Sequence, residues 1–297
     1  MQASHTERTE AAGDRQVFDR PVERAAWPEA APGQRASGSA ERSAKSAQGS
    51  SRTTALNGFR EHTLSKGVNP LLYWTLRAVL VPFCLIYLRM SRIGREHLPR
   101  SGPLLLAANH RSFLDPFVIG TLVRRPVYYM AKRELFERRW QAWALNALGA
   151  FPVDRGAGDR DAMATAKAIL RRGDCVVIFP EGTRTREGPL GRSHRGVGRL
   201  ALETGVQVAP VAVIGTEEVR RGWRIRPRKV RLRVGRPLRF PTVQEPSRKL
   251  AGGMTRRIWA CVSLQWEWLG GESGRAEIDH QAQPSVQPSA RGTARAA

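Results

Sequence analysis

The chemistry of this sequence is concentrated in a few short stretches. Asn109 and His110 follow the apolar run Leu104 to Ala108, and Asp115 stands a little further on. A carboxylate at that spacing can accept a hydrogen bond from one imidazole nitrogen and leave the other to take a proton from an alcohol. The same spacing suits a simpler arrangement, in which Asp115 or Ser112 only caps the helix that Pro116 opens. Further along, Asp154-Arg155 and Pro180-Glu181-Gly182-Thr183-Arg184 each follow an apolar run. Two arginines suit a phosphate, because the guanidinium fork matches phosphate oxygens. Gly182 lets backbone amides approach a ligand or a developing oxyanion. Each arginine taken alone is as well explained as a solvated surface residue, and Glu181 as a cap or an ion-pair partner.

These residues need a scaffold that brings them together, and the hydrophobic pattern supplies one. Leu104–Ala108, Val127–Met130, Ala150–Val153, Cys175–Phe179 and Val208–Ile214 are short apolar runs bounded by Gly, Pro or charge, the signature of buried strands. Between them, Glu134–Leu148, Arg160–Arg172 and Val197–Thr204 have helical spacing, the first with Leu135, Trp140, Trp143, Ala144 and Ala147 on its apolar face. The alternation predicts an α/β fold with a mostly parallel sheet flanked by helices. Ligands of such sheets bind beyond the carboxyl ends of the strands, where His110, Arg155 and Arg184 all fall.

Outside this region the readings are coarser. Residues 1–66 and 271–297 are rich in Ala, Gly, Ser, Arg, Gln and Pro without apolar periodicity and read as disordered, leaving 67–270 as the folded domain. No apolar run follows Met1, so no cleaved secretory signal is expected. The run Pro70 to Leu88 would make a helix about 28 Å long, but Arg77 and Pro82 interrupt it. A shallow anchor in one leaflet fits better than a full span, with Arg89, Arg92 and Arg95 at the headgroups; a buried core helix is the other reading. The segment Arg220 to Phe240 alternates Val230, Leu232 and Val234 with Arg231 and Arg233, which suggests an edge strand with one basic face. A last helix is expected over about Pro246 to Leu269.

The net charge is +23, yet only six of the 49 basic residues are lysine, a bias that a GC-rich genome explains as well as a polyanion partner does. An anionic membrane surface is the expected partner and nucleic acid is not, since no nucleic-acid motif accompanies the charge. Cys84, Cys175 and Cys261 give neither a disulfide framework nor a metal pattern, and neither HExxH nor CxxC occurs. A reducing, cytoplasmic setting fits this usage.

In order, Asn109-His110-x4-Asp115, Gly149 to Arg155, Phe179-Pro-Glu181-Gly182-Thr183-Arg184 and Ala209-Pro210-Val211 resemble the four motif blocks of the glycerolipid acyltransferases, and most closely the bacterial 1-acyl-sn-glycerol-3-phosphate acyltransferases. The resemblance covers about residues 70–240. It implies His110 as general base, Asp115 as the group that orients it, and Arg155, Glu181, Gly182, Thr183 and Arg184 as acceptor-binding residues. Lys132 matches a further basic position near the phosphate, and Pro210 a block associated with the acyl donor or with packing. Thr185 stands where many members have serine, and Ala209 where many have valine. The implied reaction moves a fatty acyl group from an acyl thioester, carried on coenzyme A or acyl carrier protein, to a lysophospholipid hydroxyl, with neither cofactor nor metal. Its implied place is the cytoplasmic face of the cell membrane, as a monotopic or peripheral protein. Other lysolipids or glycerol 3-phosphate are alternative acceptors, and a non-catalytic basic membrane-binding module is the alternative from another class.

Overall fold

In the computed structural model of the chain, residues 56–154, 160–221 and 224–272 are described. A seven-stranded sheet forms the centre, in the order β1-β9-β6-β2-β5-β3-β4. Its strands are β1 (Ser91–Ile93), β2 (Leu104–Ala108), β3 (Val127–Lys132), β4 (Ala150–Val153), β5 (Cys175–Ile178), β6 (Gln207–Ile214) and β9 (Arg231–Val234); β7 (Arg220–Arg221) and β8 (Arg224–Ile225) make a separate small ribbon. Strands β6, β2, β5, β3 and β4 are mutually parallel. β9 is antiparallel to β6, and β1 is parallel to β9.

The alternation of side chains on β2 shows how the sheet is covered. Leu104 and Leu106 join the cluster on one face, with Val118, Ile119 and Leu122 of α3 (Asp115–Gly120) and its following turn, Cys84 of α2 (Pro70–Ile86) and Ala142 of α4 (Arg139–Ala147). Leu105 and Ala107 join the other, with residues of α5 (Arg160–Arg171), α6 (Gly196–Thr204) and α7 (Arg248–Trp268). All three leucines are fully buried, and burying each contributes about 1.5–3 kcal/mol. The result is a helix–sheet–helix sandwich with β2 at its centre.

Four expectations are corrected. Disorder does not extend to residue 66, because Leu56–Ser65 forms helix α1. Phe59 of that helix packs against Phe136 at 5.5 Å, and the Arg60 guanidinium donates to the Pro152 carbonyl at 3.2–3.3 Å. The expectations for residues 1–55 and 273–297 lie outside the described residues. The helix expected over Glu134–Leu148 begins only at Arg139: a 3-10 turn, Arg133–Phe136, buries Phe136, and the backbone at Arg138 is extended. α4 also faces the other way, burying Ala142, Asn146 and Ala147 and leaving Trp140 and Trp143 69% and 59% exposed.

Third, β9 is an interior strand, since β1 covers its outer side. Its Arg233 leans on α7, donating to Gln265 at 2.8 Å and lying 4.6 Å from the Trp268 ring centre. Fourth, Arg92 and Arg95 do not extend freely from the end of α2 but are anchored within the fold. Together with Arg77 they hold the carbonyls at the C-terminal end of α3: Arg77 donates to Gly120 and Val123, Arg92 to Thr121 and Arg95 to Leu122, at 2.5–3.0 Å. Cations suit that end of a helix, where the last carbonyls have no partner in the helix and carry partial negative charge. α2 itself buries only Tyr73 and Cys84, while Leu71, Val79 and Ile86 are 65–79% exposed.

Candidate active site

The three central strands, β6, β2 and β5, end side by side, and the loops that follow them build one site. After β2, the Asn109 side chain continues the ladder toward β6, donating to the Val213 carbonyl at 2.9 Å and accepting from its amide at 2.8 Å. That pairing fixes where His110 leaves the strand. The His110 amide donates to Glu181 Oε1 at 2.9 Å, and its carbonyl accepts from the Thr185 amide at 2.9 Å. Its ring stacks on Phe179, with centres 4.1 Å apart.

His110 Nδ1 lies 2.9 Å from Asp115 Oδ2. The same oxygen accepts from the amides of Arg111 (2.6 Å) and Ser112 (2.7 Å), while Oδ1 accepts from Thr216 Oγ1 at 2.6 Å. Asp115 is fully buried and therefore does far more than cap a helix. Four donors fix the orientation of its carboxylate, and an Nδ1–H directed at it leaves Nε2 as the acceptor. No protein group bonds Nε2 among the described residues.

Glu181 acts as an internal brace. It is buried, Oε1 takes the His110 amide, and Oε2 takes the Thr185 hydroxyl and the Gly191 amide. With every position filled by the protein, its carboxylate shapes the loop that presents Gly182, Thr183 and Arg184. Thr185 thus uses the hydroxyl that a serine would also offer. A β-carbon at Gly191 would meet Glu181 Oε2 at 2.7 Å, which excludes larger residues there. Gly182 has φ +69, a conformation that favours glycine, and the His194 ring lies against it. Arg111 reaches over the same loop to the carbonyls of Thr185 (2.9 Å) and Gly188 (2.7 Å) and lies 4.3 Å from the Trp266 ring centre of α7.

The remaining candidates divide by position. Thr183 and Arg184 are exposed on the loop beside His110. Lys132 opens at the same end of the sheet, at the end of β3, paired with Glu134 at 3.0 Å. Asp154 lies beyond β4 at the sheet's far edge and pairs with Arg133 at 2.9 Å. Arg155 lies outside the described residues. Pro210 is buried within β6, where its carbonyl accepts from Gly235 at 2.9 Å. Thr216, Gly191, Arg111 and His194 were not marked by any sequence signal, because each meets the site only through the fold.

One further carboxylate flanks the site. Burial, and to a lesser degree the Asp115 charge, raise Glu217 above the ordinary carboxyl value against the pull of backbone donors and Arg111.

The family model for acyltransferases matches residues 89–214, which span β1 through β6. The 1-acyl-sn-glycerol-3-phosphate acyltransferase of Bacillus subtilis is 31% identical over 172 residues, covering 56% of this chain and 82% of that one. The chain belongs to the acyltransferase family. Among other members, the chloroplastic 1-acyl-sn-glycerol-3-phosphate acyltransferase of Arabidopsis thaliana is 33% identical over 129 residues, 42% of this chain and 36% of its own, so this chain spans little more than a third of that relative. A lyso-ornithine lipid O-acyltransferase of Pseudomonas aeruginosa is 34% identical over 157 residues, 52% of this chain and 58% of its own. The crystal structure of the family member PlsC from Thermotoga maritima shares the fold, with a TM-score of 0.53 at 21% identity, covering 74% of this chain and 95% of that one.

Proposed function

We propose that this acyltransferase transfers a fatty acyl group from an acyl thioester to the free sn-2 hydroxyl of 1-acyl-glycerol 3-phosphate, giving phosphatidic acid. The observation that carries the reading is the His110–Asp115 pair, buried, braced from three loops and open at Nε2. Nε2 takes the hydroxyl proton as its oxygen attacks the thioester carbonyl. The tetrahedral oxyanion then collapses, the C–S bond breaks, and the leaving thiolate takes the proton back from the imidazolium. A thioester is already activated, so the step needs no cofactor, metal or protein nucleophile. General-base assistance of this kind contributes about 10²- to 10⁴-fold, and alignment of two bound substrates supplies more. Arg184 and Thr183, exposed on the loop beside His110, receive the acceptor phosphate, with Arg155 and Lys132 as further cations.

The outer surface of the helix layer over one sheet face supports membrane association. Leu71, Val79 and Ile86 of α2 and Trp140 and Trp143 of α4 lie exposed on that layer, more apolar surface than a water-facing side usually carries. Among the described residues no single helix is long and apolar enough to cross a membrane, although the pair α1 and α2, bent by 87°, passes on length and composition. The reading adopted is monotopic insertion of α2 at the cytoplasmic face, where lysolipid and product reside.

The test is transfer from labelled acyl-coenzyme A, and in parallel from acyl carrier protein, to lysophosphatidic acid in mixed micelles. Wild type transfers and His110→Ala does not. The similarity to a lyso-ornithine lipid O-acyltransferase supports a second acceptor, so lyso-ornithine lipid belongs in the same assay. Transfer to that lipid alone would replace the phosphate acceptor, and transfer to neither would refute both.

A further inference from the structure

The arginines at the C-terminal end of α3 form more than a cap. Arg92, Arg95, Arg100 and Arg124 line an open cavity of about 740 Å³, together with Glu96, Leu98, Pro99, Leu122 and Val123. Arg77 of α2 reaches the same row of carbonyls from the side. Among the described residues none of these five arginines makes an ion pair, and Glu96 is the only carboxylate on the rim. The carbonyl bonds hold Arg92 and Arg95 in place and commit one of the five N–H donors on each. Burial first, and then repulsion from the neighbouring arginines, hold Arg92 and Arg95 below the usual arginine value. Against the four arginines of the rim stands a single carboxylate, Glu96.

We propose that this cavity binds the phosphate of an anionic phospholipid headgroup, at a site separate from the one built around His110. Arg100 precedes β2 whereas His110 follows it, and the other arginines gather at the C-terminal end of α3, the end opposite Asp115. The cavity thus lies at the other end of both elements from His110 and is larger than a bare phosphate requires. α2, with its exposed apolar face, flanks the cavity through Arg77. A lipid phosphate bound there would have its acyl chains beside that face. This choice of a lipid over a free anion rests on the membrane reading of α2.

The test compares full-length wild type with Arg100→Ala/Arg124→Ala, two exposed positions that hold no carbonyl, and with Arg138→Ala/Arg139→Ala, an equal loss of charge on the same helix layer. Binding is measured by co-sedimentation with vesicles of phosphatidylcholine and of phosphatidylcholine mixed with phosphatidylglycerol. The cavity pair should weaken binding to the mixed vesicles about tenfold or more and leave binding to pure phosphatidylcholine unchanged, while the α4 pair, which loses only the general attraction of two surface charges, should weaken binding to the mixed vesicles clearly less. Thermal melts in millimolar inorganic phosphate form the second arm. Stabilisation lost only in the cavity pair, without a vesicle effect, would assign the site to a free phosphate. Failure of wild type to bind either vesicle would remove the membrane reading, and the melts would then decide the cavity alone. Equal losses from both pairs, or no pair-specific effect in either arm, would overturn the proposal.

Discussion

Asp115 is held from three sides, by the amides ahead of it, by His110 and by Thr216 from the loop after β6. In Asp115→Asn the amide nitrogen can face Thr216, whose hydroxyl turns to accept, while the remaining oxygen keeps its three donors. The fold should therefore survive and the negative charge that supports the imidazolium should not. We expect turnover to fall about 10²- to 10⁴-fold with a nearly unchanged melting temperature; normal turnover would reduce Asp115 to a structural bracket. Glu217 makes a prediction of the opposite kind. Its carboxyl is raised in the folded state, so as pH climbs from about 4.3 the unfolded chain releases this proton first and stability is lost through the folded value. Glu217→Gln removes that loss. It should raise the melting temperature near neutral pH, and by less near pH 4; an equal shift at both would show that titration is not the cause. At this scale the sequence marked His110, Asp115 and the Phe179–Arg184 loop by type and spacing. It could not mark Thr216, which meets Asp115 from 101 residues away.

Between elements, packing depends on a few close approaches. α6 meets α7 at Gly198, whose amide donates to Thr255 Oγ1 at 3.1 Å and where a β-carbon would lie 2.2 Å from the Ala251 carbonyl oxygen. Gly198→Ala must push the helices apart, and we expect a cost of about 1–3 kcal/mol, a fall of several degrees by calorimetry. An unchanged melting temperature would mean that α7 is not seated there. The strand and helix sequence was largely legible, because buried parallel strands carry runs such as Leu104–Ala108 that no loop tolerates. The errors came where apolar residues face outward. The period through Trp140 and Trp143 suggests a buried face, yet α4 turns Ala142, Ala147 and the polar Asn146 inward, Asn146 donating to Thr63 Oγ1 at 2.7 Å and to the Ala150 carbonyl at 3.2 Å. β9 was read as an edge because Arg231 and Arg233 alternate with apolar residues. The sequence does not reveal that a three-residue strand made far earlier covers its outer side.

Among the described residues, exposed apolar side chains are most numerous on the layer of α2 and α4, while α7 on the other layer exposes Leu250, Leu264 and Trp268. Val79→Glu/Ile86→Glu alters positions 65% and 77% exposed, so the melting temperature should hold within about 1 °C while association with phosphatidylcholine vesicles drops severalfold. Vesicle binding equal to wild type would place the membrane contact elsewhere. Pro82 and Arg77 could be read in the sequence as obstacles to a full span, but the destination of Arg77 could not. It lies in the carbonyls after α3, out of reach of any pattern within α2 itself.

The position of β2 between β5 and β6 has a consequence for the birth of the chain. On the ribosome β2 emerges about 70 residues before β5 and about 100 before β6, and β1 waits about 140 for β9. At about 5–20 residues per second, the most apolar strand of the nascent polypeptide spends several seconds with both edges unpaired. His110 and Asp115 are translated early, whereas Glu181 and Thr216, which brace them, leave the exit tunnel late. The surroundings of His110 are thus completed only once Thr216 has emerged, and a ribosome stalled before Thr216 would carry the histidine without its setting.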